Sequence, residues 1–187
     1  MSEHPTWTIR AAAPDDAPAV AEVGARLFRE AYGATHPEPA LTPYLAESFG
    51  DASVRRMLHD PGTAVLLAER ADRTDVVGYA QLRMASPDAP TTVLTRALPG
   101  QRPIEVVRFY VASSFHGRGL APALMAACDA EARARGADVL WLQAWQEAGR
   151  AVAFYEKNGF ARIGTAVFQF GDRLDRDFVL ARAVASG

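Results

Sequence analysis

Residues 104–123 read IEVVRFYVASSFHGRGLAPA, and this stretch decides the fold. Ile104 to Val111 is strongly apolar, which is typical of a buried strand. A short segment, Ala112 to His116, separates it from Gly117-Arg118-Gly119-Leu120-Ala121. These residues open an Ala-rich helix that we expect to end at Gly136. A buried strand joined to a helix by a glycine turn predicts a mixed α and β architecture.

The glycine turn itself has the features of an anion site. The first N–H groups of a helix have no intrahelical partner, and the helix dipole places partial positive charge there. Gly117 and Gly119 let the backbone approach a phosphate closely, and Arg118 adds a charged donor. A simple tight connection is the alternative. A P-loop is excluded because Gly-Lys-Ser/Thr is absent, and a dinucleotide fingerprint is excluded because Pro122 replaces its third glycine.

Composition bounds the class of protein. The 187 residues are 49% hydrophobic and 22% charged, which predicts one globular domain over residues 1–187. The net charge of −2 argues against nucleic acid or an anionic membrane as the main partner. The sequence contains no run of about 18 apolar residues, so we expect no membrane span.

The N-terminus and the cysteine content predict the compartment. Met1 to Pro5 lacks the basic and then apolar pattern of a secretory signal. The single cysteine, Cys128, excludes an internal disulfide and a Cys-based zinc site, and we expect no metal. A cytoplasmic protein is the expectation.

The coarse pattern predicts an α+β fold, layered, with a mixed and mostly antiparallel sheet flanked by helices. A long loop with several prolines is expected at Ser86 to Pro103. The predicted strands are 7–12, 63–69, 76–84, 104–111, 139–145, 160–170 and 177–184. A first helix is predicted to begin near Asp15, and one or two shorter helices are predicted within 37–60. Two further helices are predicted at 119–135 and 148–157.

This order, with Ala-Phe-Tyr-Glu-Lys-Asn-Gly-Phe at 153–160, resembles the GCN5-related N-acetyltransferase family. The family's pyrophosphate-loop signature, Gln/Arg-x-x-Gly-x-Gly/Ala, reads here as His116 to Ala121. The chain is also similar to bacterial polyamine acetyltransferases of this family, through residues 44–49, 141–145, 151–160 and 168–172.

The resemblance implies acetyl-CoA as co-substrate, held mainly by backbone groups of residues 104–136. Two departures from the family pattern occur: His116 replaces Gln or Arg, and Ala148 stands where many members have Asn, with Arg150 as a compensating contact. The implied contacts are the backbone N–H groups of Gly117, Arg118, Gly119, Leu120 and Ala121 for the pyrophosphate, and Phe109, Tyr110 and Val111 for the pantetheine arm.

Two residues match the family's catalytic positions. Tyr155 corresponds to the general acid, since a phenol with an ordinary pKa of about 10 can protonate a thiolate of similar basicity. A packing role, or a hydrogen bond to the CoA sulfur, is the alternative. Glu105 corresponds to the base that deprotonates the amine, and a salt bridge with Arg83 or Arg108 is the alternative.

The acceptor pocket is expected at Tyr44, Glu47, Phe49 and Trp145. The alternative is that these residues are ordinary core and solvent positions. His36 and His59 are expected on the surface, and a role as a base is the alternative for either one.

Three functions stay open from the sequence. The first is acetyl transfer to a small-molecule primary amine, with polyamines as the first candidate, by a monomer or homodimer. The second is acetylation of a protein N-terminus or lysine. The third is a regulatory module that binds acyl-CoA without turnover.

Overall fold

The computed structural model describes residues 7–72 and 75–185. Met1 to Pro5 and part of the turn predicted at 71–75 lie outside these residues. The described residues contain eight strands and five α-helices. They are β1 (Trp7–Ala11), α1 (Ala17–Tyr32), α2 (Glu38–Phe49), α3 (Asp51–His59), β2 (Thr63–Arg70), β3 (Val76–Met84), β4 (Thr92–Leu94), β5 (Pro103–Val111), α4 (Leu120–Ala134), β6 (Val139–Trp145), α5 (Gly149–Lys157), β7 (Ala161–Phe170) and β8 (Arg173–Ala183).

The strands follow the order β1-β2-β3-β5-β6-β8-β7-β4. β5 and β6 run parallel, whereas β1 with β2, β6 with β8, β7 with β8 and β4 with β7 are antiparallel. The predicted α+β class, with a mixed and mostly antiparallel sheet flanked by helices, is confirmed.

The chain divides into two compact units, which we call unit 1 and unit 2. Unit 1 holds the residues up to Gln81 together with Arg108–Cys128, and unit 2 holds Leu82–Val107 and the residues from Asp129 onward. The expectation of one domain over residues 1–187 stays a prediction.

In unit 1 the apolar stripe of α1 forms the core. Val20, Val23 and Leu27 recur at helical spacing and are at most 2% exposed. The helix packs on α2 and α3. Gly24 allows the close approach to α2, because a Cβ at this position would lie 2.3 Å from the Phe49 ring.

In unit 2, β6 lies between β5 and β8. It pairs with β8 along its whole length, from Val139 opposite Ala183 to Trp145 opposite Asp177. Its parallel ladder with β5 is short, because register pairs occur only from Pro103 to Glu105 in the described residues. The backbone edges that follow, at Val106 in β5 and Leu142 in β6, are therefore not joined to each other.

The segment Ser86 to Pro103 differs from the prediction of a long loop. Thr92–Leu94 forms β4, which pairs with Ala166 to Gly164 of β7. Three residues are too few to show a period, so the sequence carried no signal for this strand. Gly164 permits the pairing, since a Cβ there would lie 2.3 Å from the Val93 carbonyl oxygen.

The remaining boundaries shift by one to four residues. β8 begins at Arg173 instead of Asp177, because its charged N-terminal half pairs with the end of β7 and forms a longer hairpin than its apolar half indicates. Among the described residues, none of the helices is long and apolar enough to cross a membrane.

Candidate active site

The glycine turn of unit 1 presents backbone N–H groups at the start of α4. Gly117 and Gly119 have φ angles of 75° and 85°, which favour glycine. The N–H groups of Gly117, Gly119, Leu120 and Ala121 have no hydrogen-bond acceptor within the described chain. The fifth predicted donor, the Arg118 N–H, already donates to the Phe115 carbonyl at 3.3 Å. The turn therefore offers four N–H groups to an anion.

The segment before the turn is fixed by contacts that the sequence did not indicate. The Ser113 N–H donates to Glu30 Oε1 of α1 at 2.6 Å. Burial alone would raise the pKa of Glu30, but the hydrogen bonds with Ser113 and the nearby Arg26 and His116 together lower that pKa. Phe115 is buried and meets Trp7 edge-on, with ring centroids 6.5 Å apart. The turn is thus attached to both α1 and β1.

His116 does not offer its whole ring to a ligand. Its Nε2–H donates to the carbonyl of Val111 at 3.0 Å, so only Nδ1 remains for a further contact. The same hydrogen bond occupies one lone pair of the Val111 carbonyl oxygen. Val111 is one of the residues predicted to pair with the pantetheine arm. Phe109, Tyr110 and Val111 are all half-buried at the end of β5.

An aromatic cluster in unit 1 brings together three of the predicted residues. We call it the tyrosine cluster; its members are Phe28, Tyr32, Tyr44, Phe49, Tyr79 and Tyr110. Phe28 is central, with its ring centroid 4.7 Å from Tyr44, 6.1 Å from Tyr110 and 6.2 Å from Phe49. Glu47, predicted with them, lies on the exposed side of α2.

His36 borders this cluster and corrects a prediction. It was expected on the surface but is 5% exposed, because its ring packs edge-on against Tyr32 at 5.5 Å. Its Nδ1 lies 2.9 Å from Thr35 Oγ1. His59 is exposed, as expected, with Nδ1 2.7 Å from the Arg55 carbonyl oxygen.

In unit 2, the predicted base Glu105 is buried in an ion pair. Arg83 Nη2 donates to Glu105 Oε2 at 2.6 Å, and the Glu105 side chain is 9% exposed. The predicted alternative of a salt bridge with Arg83 is therefore observed. The other named partner, Arg108, instead donates to Gln81 Oε1. The catalytic role of Glu105 stays a prediction.

The predicted acid, Tyr155, is buried on the inner side of α5. Its ring contacts Phe154 and Phe160, with centroids 5.5 and 5.8 Å away. α5 begins after Ala148, which caps the helix without a side-chain hydrogen bond, and Arg150 in the first turn is exposed. A methyl group at 148 cannot replace the Asn that many family members have there.

Trp145 lies beside two buried carboxylates at the end of β6. The guanidinium carbon of Arg173 lies 5.2 Å from the Trp145 ring centroid, and its Nε is 2.5 Å from Asp175 Oδ1. Asp177, opposite Trp145, has no ionic partner in the described residues. Burial and the nearby Asp175 raise the pKa of Asp177 to about 6.

In the part of the chain that the structure describes, no three His, Cys, Asp or Glu side chains are grouped as metal ligands. The site features are thus a glycine turn and the tyrosine cluster in unit 1, and Glu105, Tyr155 and an acidic strand end in unit 2.

Comparison with known proteins assigns the family. The sequence model of the Acetyltransferase (GNAT) family matches residues 25–160. An uncharacterized N-acetyltransferase of Mycobacterium tuberculosis is 34% identical over 172 residues, which cover 89% of this chain and 97% of that protein. An uncharacterized N-acetyltransferase of Lactobacillus delbrueckii subsp. lactis is 25% identical over 90% of this chain and 92% of its own length.

Solved structures share the fold at lower identity. The PaiA N-acetyltransferase of Thermoplasma acidophilum, in complex with coenzyme A, has a TM-score of 0.71 at 16% identity, covering 95% of this chain and 98% of its own. The spermidine N-acetyltransferase of Vibrio cholerae, in complex with CoA and spermine, has a TM-score of 0.64 at 17% identity over 97% of both chains. With the family match over residues 25–160, this chain belongs to the acetyltransferase (GNAT) family.

Proposed function

We propose that this protein is a single-domain N-acetyltransferase that moves an acetyl group from acetyl-CoA directly to a primary amine of a small molecule. The observation that carries the proposal is the glycine turn. Four N–H groups without acceptors lie at the positive end of the 15-residue helix α4. Such a turn is suited to a pyrophosphate.

The residues of the turn fit this co-substrate. A Cβ at Gly117 would have no atom within 4 Å, so a phosphate can approach the backbone there. The N–H groups of Gly117, Gly119, Leu120 and Ala121 would hold the pyrophosphate. Phe109, Tyr110, Val111, the remaining nitrogen of His116, and Arg150 are proposed as further contacts.

Unit 2 supplies separate support. The ladder between β5 and β6 ends at Glu105, which leaves the backbone of Val106 able to pair with an extended ligand in the manner of an added strand. This is the backbone pairing that the pantetheine arm requires.

Two side chains account for the protons. Acetyl-CoA supplies the activated thioester. The ammonium must lose a proton before its nitrogen can attack, and we assign that proton to the Glu105 carboxylate. The nitrogen–carbon bond forms as the carbon–sulfur bond breaks. Tyr155 donates its phenolic proton to the leaving thiolate and regains a proton from the acetylated nitrogen, while the proton on Glu105 passes to solvent. The buried Cys128 takes no part.

Polyamines are one acceptor class to test, because similar structures include spermidine acetyltransferases. Tyr44 and Phe49 of unit 1 are proposed as contacts of the acceptor, and Trp145 of unit 2 is proposed as a further one. The exposed Glu47 would attract a cationic amine.

The test measures CoA release from acetyl-CoA with a panel of primary amines, which contains spermidine, spermine, amino acids and short peptides. Acetyl-CoA should raise the Tm, and at least one small amine should accelerate CoA release. Stabilisation without amine-dependent release would indicate an acyl-CoA-binding module instead. Release with peptides alone would indicate a protein acetyltransferase.

A further inference from the structure

Arg108 carries its charge among aromatic rings in unit 1. It lies on the same face of β5 as Tyr110, two residues on. Its guanidinium carbon is 4.6 Å from the centroid of the Phe49 ring, and its Nη1 donates to Gln81 Oε1 at 2.5 Å. The hydroxyl groups of Tyr44 and Tyr79 also interact electrostatically with its charge.

All of these partners are neutral. Within residues 7–72 and 75–185, no carboxylate lies within 4.0 Å of the Arg108 guanidinium. Tyr79 does not serve as an anion, since burial raises its pKa to about 12. An arginine stays protonated at any physiological pH, and removing its charge from water without a counter-ion is unfavourable. The positive charge of Arg108 is thus left for a ligand to balance.

The cluster is layered so that this charge can be reached. Phe28, Phe49 and Tyr79 are its buried members. Arg108 and Tyr110 are half-buried, as are Tyr32 and Tyr44. A guanidinium has five N–H donors, and Gln81 uses one of them, so the donors on the accessible side can form a two-point contact.

We propose that Arg108 binds a carboxylate of the acceptor, so that the acceptor is a small molecule with both a primary amine and a carboxylate, such as an amino acid or short peptide. This deepens the proposed function and rests on it. A planar carboxylate matches the guanidinium fork in two parallel hydrogen bonds, and the surrounding rings favour an apolar or aromatic portion of the same molecule. A polyamine, which carries only positive charges, would be repelled from Arg108.

The experiment compares kcat/KM for amino acids and dipeptides, each paired with its own carboxamide, and for spermidine. The wild-type protein should prefer each carboxylate over its amide by about 10- to 100-fold, the size of a charge-assisted two-point contact. Amidation lowers the pKa of the neighbouring amine and makes it easier to deprotonate. Amine ionisation alone would therefore favour the amide, and it cannot produce the expected preference.

The variant Arg108→Gln keeps hydrogen bonding but removes the charge. It should abolish the preference, mainly through KM of the carboxylate acceptor, while Arg108→Lys should keep part of it. Arg55→Gln is the matched control, because Arg55 is an exposed arginine of the same unit that pairs with Asp51. Its preference should equal that of the wild type. The Tm of each variant reports folding.

Several results would overturn the inference. One is equal rates for carboxylate and amide in the wild-type protein, and another is a loss in Arg108→Gln that is uniform across all acceptors; either leaves the acetyltransferase function intact. If no amine is acetylated, the proposed function fails. Calorimetric binding of the same amino acids and dipeptides then tests the carboxylate site by itself. Binding that is lost in Arg108→Gln supports the carboxylate site, and absence of binding contradicts it.

Discussion

The two units treat buried charge differently. In unit 2, three buried carboxylates have arginine partners: Glu105 with Arg83, Asp129 with Arg182, and Asp175 with Arg173. In unit 1, the half-buried guanidinium of Arg108 contacts only neutral groups. The exception in unit 2 is Asp177, which has no ionic partner among the described residues.

This difference separates two roles for charge. A buried ion pair that is complete within the chain needs nothing from outside, so its loss is expected to appear in stability. A buried charge without a partner is costly to the folded protein, so its retention suggests that a ligand or a proton completes it.

The Asp129–Arg182 pair should dominate stability. Two bonds of 2.8 and 2.7 Å join the side chains, and Asp129 also accepts from the Ala185 N–H. Asp129→Ala would leave the buried guanidinium of Arg182 unbalanced and should lower the free energy of unfolding by about 3–5 kcal/mol in urea titration.

The control for that variant is Glu156→Ala. Glu156 and Arg162 form an exposed ion pair, whose loss should cost about 1 kcal/mol or less. Equal losses for Asp129→Ala and Glu156→Ala would remove the distinction between buried and exposed pairs.

Glu105 tests whether a paired charge can also be catalytic. If it is the base, Glu105→Gln should lower kcat by at least about 100-fold, whereas Arg83→Gln should lower it by less than about 10-fold. Steady-state CoA release at saturating substrate measures both, and acetyl-CoA binding reports the intact site. Equal and small losses of kcat in the two variants would show that the Glu105–Arg83 pair has only a structural role.

Asp177 predicts a dependence of stability on pH. Its pKa is about 6 in the folded protein, above the ordinary 3.8, so the folded state holds a proton that the unfolded chain loses. Stability should therefore fall as the pH rises from about 4 to about 6. Asp177→Asn should remove this component and be more stable than the wild type at pH 8 by about 1–2 kcal/mol, less than the full shift because solvent screens part of it.

Denaturation of both proteins between pH 4 and pH 8 measures the difference. A constant difference in the free energy of unfolding across that range would show that Asp177 does not titrate there. Asp177 would then no longer be a buried group of unit 2 whose charge is balanced by a proton.

Gly119 tests the turn through backbone strain. A Cβ there would lie 3.8 Å from the Trp7 ring, which leaves room, so Gly119→Ala acts through its φ of 85° and should cost about 1 kcal/mol. KM for acetyl-CoA should rise roughly 5-fold. Gly136→Ala is the matched control: its φ is 73°, after the last turn of α4, and it should lose similar stability with KM unchanged. A higher KM in both would indicate a general loss of folding.

The sequence predicted elements where the pattern is local and long. β3 and β6 match the predicted bounds because their apolar runs are bounded by polar or turn residues. β4 was missed because its signal is three residues long and its partner, β7, lies about 70 residues later. Helical spacing likewise placed Tyr44 and Phe49 on one helix, but the position of Tyr110 beside them depends on packing between distant segments.

The candidate site follows the same rule. The glycine turn was readable because its chemistry lies in consecutive residues. The roles of Glu30 and Arg108 were not, because their partners Ser113 and Gln81 are 83 and 27 residues away. His36 was placed on the surface from its neighbouring prolines, and its contact with Tyr32 buries it. Whether a charge has a partner cannot be read before the fold is known.

Single-turnover transfer by Tyr155→Phe tests whether this protein transfers acetyl directly to an amine with Tyr155 as the acid. The variant keeps the ring that packs on Phe154 and Phe160 and removes the proton. Acetyl-CoA should still bind, and release of CoA upon mixing with an accepted amine should slow by at least about 100-fold, most strongly at neutral pH. A wild-type rate in Tyr155→Phe would contradict the assignment of the acid. Acetyl-CoA binding without amine-dependent release in the unaltered protein would contradict catalysis itself.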